Sequence, residues 1–194
     1  MNFLAHAFLA RESEKLLVGN FIGDFVKGNQ YEKYHPDIVE GILLHRKIDE
    51  FTDNHPVFKR SRKRIRDKYR HYSGVIIDLF YDHFLAKNWD DYANNPLEDF
   101  ADQVYRTMQN HLDTIPTRAK NMLPSMIKYN WLVNYATLEG IDQSLKGVSR
   151  RTNHVSGMEN ASNELLLNYR EFDRDFSEFF PEIMAFTEDP SIIQ

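Results

Sequence analysis

Cysteine is missing from all 194 positions. That excludes disulfides, thiolate metal sites, cysteine nucleophiles and iron–sulfur clusters, and it suits a reducing, cytoplasmic setting. Glycine and proline are scarce, at 8 and 7 residues, and the prolines fall mostly where one periodic segment gives way to the next. No apolar run approaches the ~18 residues a membrane span needs. The opening MNFLAHAFLARESEK is apolar, but without a basic start or a small-residue cleavage site it does not read as a signal peptide. A net charge of -5 argues against general nucleic-acid binding. Walker A, GxGxxG and serine-elbow patterns are all absent. Sustained period-two alternation is lacking too, so no strand is predicted.

What is present favours helices. The chain carries 14 Phe, 10 Tyr and 2 Trp, enough to fill a core without covalent staples. Helical periodicity predicts segments at 2–9, 13–27, 36–53, 56–70, 74–92, 97–113, 117–139 and 159–180, with Gly140 to Gly157 as a long loop or broken helix. Pro36-Asp37 suits a first helical turn, and Asn95-Pro96 starts another helix in the same way. With no repeat or linker, residues 1–194 are expected to form a single compact all-α domain.

Charge is concentrated in one place. Residues 59–70, KRSRKRIRDKYR, hold eight cations and one Asp, a local +7 that leaves -12 on the remainder. Ordinarily such a run is a solvated helix face. So dense a basic stripe on an acidic protein nevertheless fits a localised anionic partner, and Arg60, Arg62, Lys63, Arg64 and Arg66 are its docking candidates.

Chemistry-bearing side chains lie in apolar surroundings in four segments. In residues 36–53 the stripe Ile38, Ile42, His45, Asp49, Asp53 begins apolar and turns into a row of possible ligands at i,i+4 spacing. In residues 74–92, Asp78 and Asp82 stand one turn apart with His83 beside them, on a helix apolar almost all round. Like charges at that spacing repel, and burial enlarges the penalty, so a cation or an arginine such as Arg46 or Arg64 is needed. Asp24 sits among Phe21, Ile22, Phe25 and Val26 behind Gly23, and His6 lies in the apolar NFLAHAFLA. Each alone has a bland reading as a satisfied core group or a cap. Together they point to one shared site. Oxygen and nitrogen donors without sulfur suit Mn²⁺, Mg²⁺ or Fe²⁺, and also Zn²⁺. A ferritin-like di-iron centre needs paired Glu-x-x-His motifs, and a single candidate, Glu32 to His35, precedes Pro36. Metal-assisted ester hydrolysis on a helical scaffold remains.

Several stretches resemble the acyl carrier protein phosphodiesterases: Met1 to His6, Gly19 to Gly28 (GNFIGDFVKG), Gly41 to Val57 (GILLHRKIDEFTDNHPV), Tyr81 to Ala86, and Gly140 to Arg151 with its LKGVSRR ending. The resemblance implies an all-helical, HD-phosphohydrolase-like enzyme that prefers Mn²⁺. It would cleave the phosphodiester between 4′-phosphopantetheine and a serine of holo-acyl carrier protein. The chain departs from the ordinary HD pattern in having Asp82-His83 rather than His-Asp. Candidate metal ligands are Asp24, His45, Asp49, Asp78, Asp82 and His83. His6 and His83 are candidate general acids, and Arg46 and Lys27 candidate phosphate partners. An acidic carrier protein matches the basic run. The rival readings are an HD-like phosphohydrolase of a nucleotide or other small phosphoester, and a non-catalytic helical module gripping an acidic protein.

Overall fold

The computed structural model describes residues 1–152 and 154–193, and among them every regular element is a helix. The chain runs through α1 (Phe3–Leu9), α2 (Glu14–Ile22), α3 (Pro36–Asn54), α4 (Pro56–Tyr69), α5 (Ser73–Lys87), α6 (Leu97–Asn110), α7 (Thr117–Lys128), α8 (Trp131–Asn134), α9 (Leu138–Ser149), α10 (Ser162–Leu167) and α11 (Tyr169–Thr187). Short 3₁₀ turns such as Gly23–Phe25 link them.

At the centre is α5. Ile76, Ile77, Leu79, Phe80, Tyr81, Phe84 and Leu85 are all buried, so it shows almost no solvent face and must be enclosed on most sides. It packs against α1, α4, α9 and α11. Much of the surrounding core is aromatic. Phe8 meets Trp89 at 5.4 Å, and Phe58, Tyr81 and Phe179 meet edge-on or tilted at 5.3–6.3 Å, separations at which ring quadrupoles add to burial.

The closest helix pair is α2 with α3, and glycine makes it possible. A Cβ on Gly19 would lie 2.1 Å from the Ile38 carbonyl oxygen, and one on Gly41 would lie 2.3 Å from that of Leu16. The two backbones therefore touch, bringing the polar residues near this crossing into one small volume.

Several boundaries differ from the sequence expectation. Segment 13–27 stops at Ile22 as an α-helix and tightens into the 3₁₀ turn at Gly23. Segment 117–139 breaks at Asn130, whose φ of +40 is left-handed, and segment 159–180 breaks at Asn168. Of the two readings for Gly140 to Gly157, the broken helix holds: α9 runs to Ser149 and ends there. Thr137 caps it by accepting from the Gly140 N–H at 3.0 Å, and Ile141, Leu145 and Val148 give it an apolar stripe. Pro181 lies inside α11 rather than past its end, as Pro124 lies inside α7. A proline there costs about 3 kcal/mol, but Phe172, Phe176, Phe179, Phe180 and Ile183 present one buried face across Pro181 and hold α11 continuous.

Candidate metal centre

Two helices and one turn supply the cluster. α1 carries His6, α3 carries His45 and Asp49 one turn apart, and the Gly23–Phe25 turn carries Asp24. His6 Nε2 lies 3.1 Å from Asp49 Oδ1; His45 Nε2 lies 3.2 Å from Asp49 Oδ2 and 3.4 Å from Asp24 Oδ1. The two imidazoles stack with centroids 4.0 Å apart at 17°. Both are buried, whereas the Asp24 side chain is 71% exposed at the rim. One donor atom from each of His6, His45 and Asp49 falls within 4.8 Å of the others.

The cluster fits a cation better than a hydrogen-bond network. Although His45 Nε2 is close to two carboxylates, neither of its ring nitrogens is aligned for a hydrogen bond with any described residue. His6 Nε2 and Asp49 Oδ1 are within hydrogen-bonding reach, so it is His45, unsatisfied beside two carboxylates, whose need a bound cation would meet. His45 is seated by Gly23: a Cβ there would stand 2.3 Å from His45 Cγ. His6 Nδ1 lies 2.8 Å from Asn20 Oδ1 on α2.

Electrostatics follow the crowding. Burial opposes charge on His45, but Asp24 and Asp49 outweigh it and lift the imidazole to about 9. Burial, and then the neighbouring His45, push His6 down to about 4. Burial also works against Asp49, yet the two imidazoles hold it well below the usual carboxylate range. His45 holds Asp24 down against a smaller burial effect. These groups are mutually dependent, as a ligand set is.

The remaining candidates lie around this cluster with different partners. Asp78 is at its edge, 2.9 Å from the Met1 ammonium, which also approaches Asp49 at 3.6 Å. Burial raises Asp78 against the pull of that ammonium. Asp82 is fully buried and accepts the backbone N–H groups of Leu4 at 2.8 Å and Ala5 at 3.2 Å. It caps the start of α1 from another helix, and burial lifts it to about 7 against those two donors. Its work is to fix the helix that carries His6.

His83 has no free nitrogen. Its Nδ1 donates to the Tyr135 carbonyl and its Nε2 accepts from the Tyr169 hydroxyl, both at 2.8 Å. Neither arginine suggested by the sequence neutralises the α5 aspartates. Arg46 donates through Nη2 to the carbonyls of Val26 (3.0 Å) and Gly28 (2.6 Å) and lies over the Tyr31 ring, pinning the loop after the turn. Lys27, in that loop, is exposed. Asp53, last of the α3 stripe, faces outward to Arg62 at 3.3 Å.

The basic helix α4 divides into two stripes. Arg60, Arg64 and Lys68, four residues apart, turn toward α10 and α11. Arg60 and Arg64 grip the fully buried Asp175, which also accepts from Ser61 Oγ at 2.7 Å, and Lys68 pairs with Glu164 at 2.6 Å. Lys59, Lys63 and Arg66 form the other stripe, exposed and without a carboxylate within 4.0 Å among the described residues.

Asn20 was not among the sequence candidates. Its signal is one polar residue inside the buried run Leu17, Val18, Gly19, Asn20, Phe21, Ile22.

Residues 1–183 match the family described as acyl carrier protein phosphodiesterase. Proteins of that name from Photorhabdus laumondii (35% identical, over 95% of this chain and 93% of the relative), Yersinia enterocolitica (33%, over 99% and 100%) and Yersinia pestis (34%, over 95% and 96%) are similar to it along nearly their whole lengths. No solved structure matches it.

Proposed function

Because this chain belongs to the acyl carrier protein phosphodiesterase family, whose members are phosphoric diester hydrolases, we propose a specific substrate and site for it. The substrate is holo-acyl carrier protein, cleaved at the phosphodiester between 4′-phosphopantetheine and serine. The work is done at the His6–His45–Asp49 cluster with a divalent ion; the donor set admits Mn²⁺, Mg²⁺, Fe²⁺ or Zn²⁺, and the resemblance to the family favours Mn²⁺. The observation that carries this reading is His45 Nε2 standing 3.2 and 3.4 Å from two carboxylates without hydrogen-bonding to either.

When bound, such an ion polarises a phosphoryl oxygen and lowers the pKa of a water. His6, His45 and Asp49 hold it. The HD-like reading rests on the family resemblance, since His45 and Asp49 stand one turn apart rather than adjacent. Asp24 has the most solvent contact of the cluster's carboxylates and is held ionised by His45, so accepting a proton from an incoming water falls to it. Lys27 adds positive charge near the phosphate, and Arg46 keeps the loop bearing Lys27 in place. His83, with both nitrogens engaged, holds the fold. Asp82 acts through α1.

The carrier protein docks on the free stripe of α4, Lys59, Lys63 and Arg66, with Arg62 at its edge. Arg62 pairs with Asp53, one turn beyond Asp49 on α3. An acidic partner is thereby steered and oriented more than it is tightly held. Among the described residues no helix is long and apolar enough to cross a membrane, and a cysteine-free chain acting on a carrier protein fits the cytoplasm.

Mass spectrometry of holo-carrier protein incubated with the enzyme and Mn²⁺ tests the reading. The expected product is the apo carrier with free 4′-phosphopantetheine, abolished by chelator and restored by metal. A protein that leaves the carrier intact while hydrolysing a nucleotide ester overturns the substrate assignment.

A further inference from the structure

His6 is useful to a cation only if Nε2, the nitrogen that faces Asp49, is bare. A neutral imidazole carries one proton, on Nδ1 or on Nε2, and the partner of the other nitrogen decides which. If the proton sits on Nε2, it bonds to Asp49 Oδ1 at 3.1 Å and ties up two donor atoms of the cluster at once. If it sits on Nδ1, Nε2 and Asp49 are both left as electron-pair donors facing the same point.

The structure bears on this choice through Asn20. It is fully buried, and its Oδ1 lies 2.8 Å from His6 Nδ1. An amide oxygen only accepts, so in this orientation Nδ1 is the donor. The Asn20 Nδ2 is buried with no hydrogen-bond partner among the described residues; the opposite amide orientation, with Nδ2 donating to Nδ1, would put the His6 proton on Nε2 against Asp49, and the histidine ring spectra separate the two. The α2–α3 crossing fixes its backbone, since the Asn20 N atom would stand 2.8 Å from a Cβ on Gly41. His45 has no counterpart to Asn20; its Nδ1 is unpartnered and its ring is placed by packing on Gly23.

We propose that Asn20 is a positioning residue that holds His6 as the Nδ1–H tautomer and so presents a bare Nε2 beside Asp49. The consequence for metal uptake rests on the cluster being a cation site. The tautomer assignment does not. A partner that orients a ligating histidine is worth 10–100-fold in metal affinity.

The test uses the full chain, ion-free, with long-range ¹⁵N–¹H correlation of the histidine rings. The wild type shows His6 protonated on Nδ1. Asn20→Leu, which removes the acceptor, moves the proton to Nε2, and Asn20→Asp, which keeps an oxygen acceptor, returns it to Nδ1. Calorimetric titration with Mn²⁺ then shows affinity about 10–100-fold lower in Asn20→Leu and restored in Asn20→Asp. Wild-type His6 protonated on Nε2, or a Leu variant with an unchanged tautomer, overturns the proposal. So does a Leu variant that switches tautomer yet binds Mn²⁺ as well as the wild type. A wild type that binds no Mn²⁺ counts against the cation site, while the tautomer spectra still decide the role of Asn20.

Discussion

At the scale of single residues, the site is made by what each side chain is denied. His45 is kept from any aligned hydrogen bond, and its seat exists because position 23 has no Cβ. Gly23→Ala places a methyl 2.3 Å from His45 Cγ and so displaces the ring. The variant is expected to remain helical by circular dichroism while losing at least tenfold in Mn²⁺ affinity by calorimetry. The proton on His45 gives a second expectation. Its pKa is raised in the ion-free fold to about 9 from an ordinary 6.5, so its contribution to stability is complete below pH 6.5 and lost as pH rises through about 9. An ion must displace that proton. Titration near pH 7.5 in buffers of different ionisation enthalpy should therefore show about one proton released per ion, with affinity rising about tenfold per pH unit toward 9. Absence of proton release would mean that His45 is not a ligand.

His45 and Asp49 were legible because i,i+4 spacing on a half-apolar helix is written in the sequence. His6 was legible as a lone imidazole in an apolar run, although its neighbours were not. Asp82 and His83 carried the same signal, a polar group in greasy surroundings, but the sequence does not reveal a helix end arriving from elsewhere. The amides of Leu4 and Ala5 satisfy Asp82, and the Tyr135 carbonyl and Tyr169 hydroxyl satisfy His83.

At the scale of elements, α4 shows how one charged run can serve two purposes. Arg64 shares the buried Asp175 with Arg60 and Ser61, so its loss removes one charged hydrogen-bond partner and leaves two. Arg64→Ala is expected to lower unfolding free energy by about 1.5–3 kcal/mol. Lys63→Ala, on the free stripe, should change it by less than about 0.5 kcal/mol. Denaturant unfolding of the two variants checks this. Equal losses would place both residues in the same environment.

The two stripes are invisible in composition because i,i+4 periodicity runs through both, and only the position of α11 decides which faces inward. Similar reasons govern the helix boundaries. Pro36-Asp37 marked the start of α3 because a first turn tolerates proline. The aromatic face of α11 carries the helix through Pro181, past the expected end at 180, and the break expected between Gly140 and Gly157 comes only after Ser149, because Thr137 caps α9.

For the whole molecule, the decisive feature is charge layout. The protein carries -5 overall with +7 in one twelve-residue run, and within that run Arg62 pairs with Asp53, one turn beyond Asp49 on α3. Reversing Lys63 and Arg66 to Glu should reduce kcat/KM for holo-carrier protein by about tenfold or more at low salt. The variant should leave kcat and Mn²⁺ uptake near wild type, with the difference shrinking as salt rises. An unchanged kcat/KM at low ionic strength would remove α4 from the docking surface.

All of this depends on one cation held by His6, His45 and Asp49. Anomalous scattering at the manganese edge from crystals of the Mn²⁺-loaded, active protein tests that most directly. The account predicts a peak coordinated by those three side chains. A peak held by other residues, or none in crystals that still turn over substrate, would contradict it.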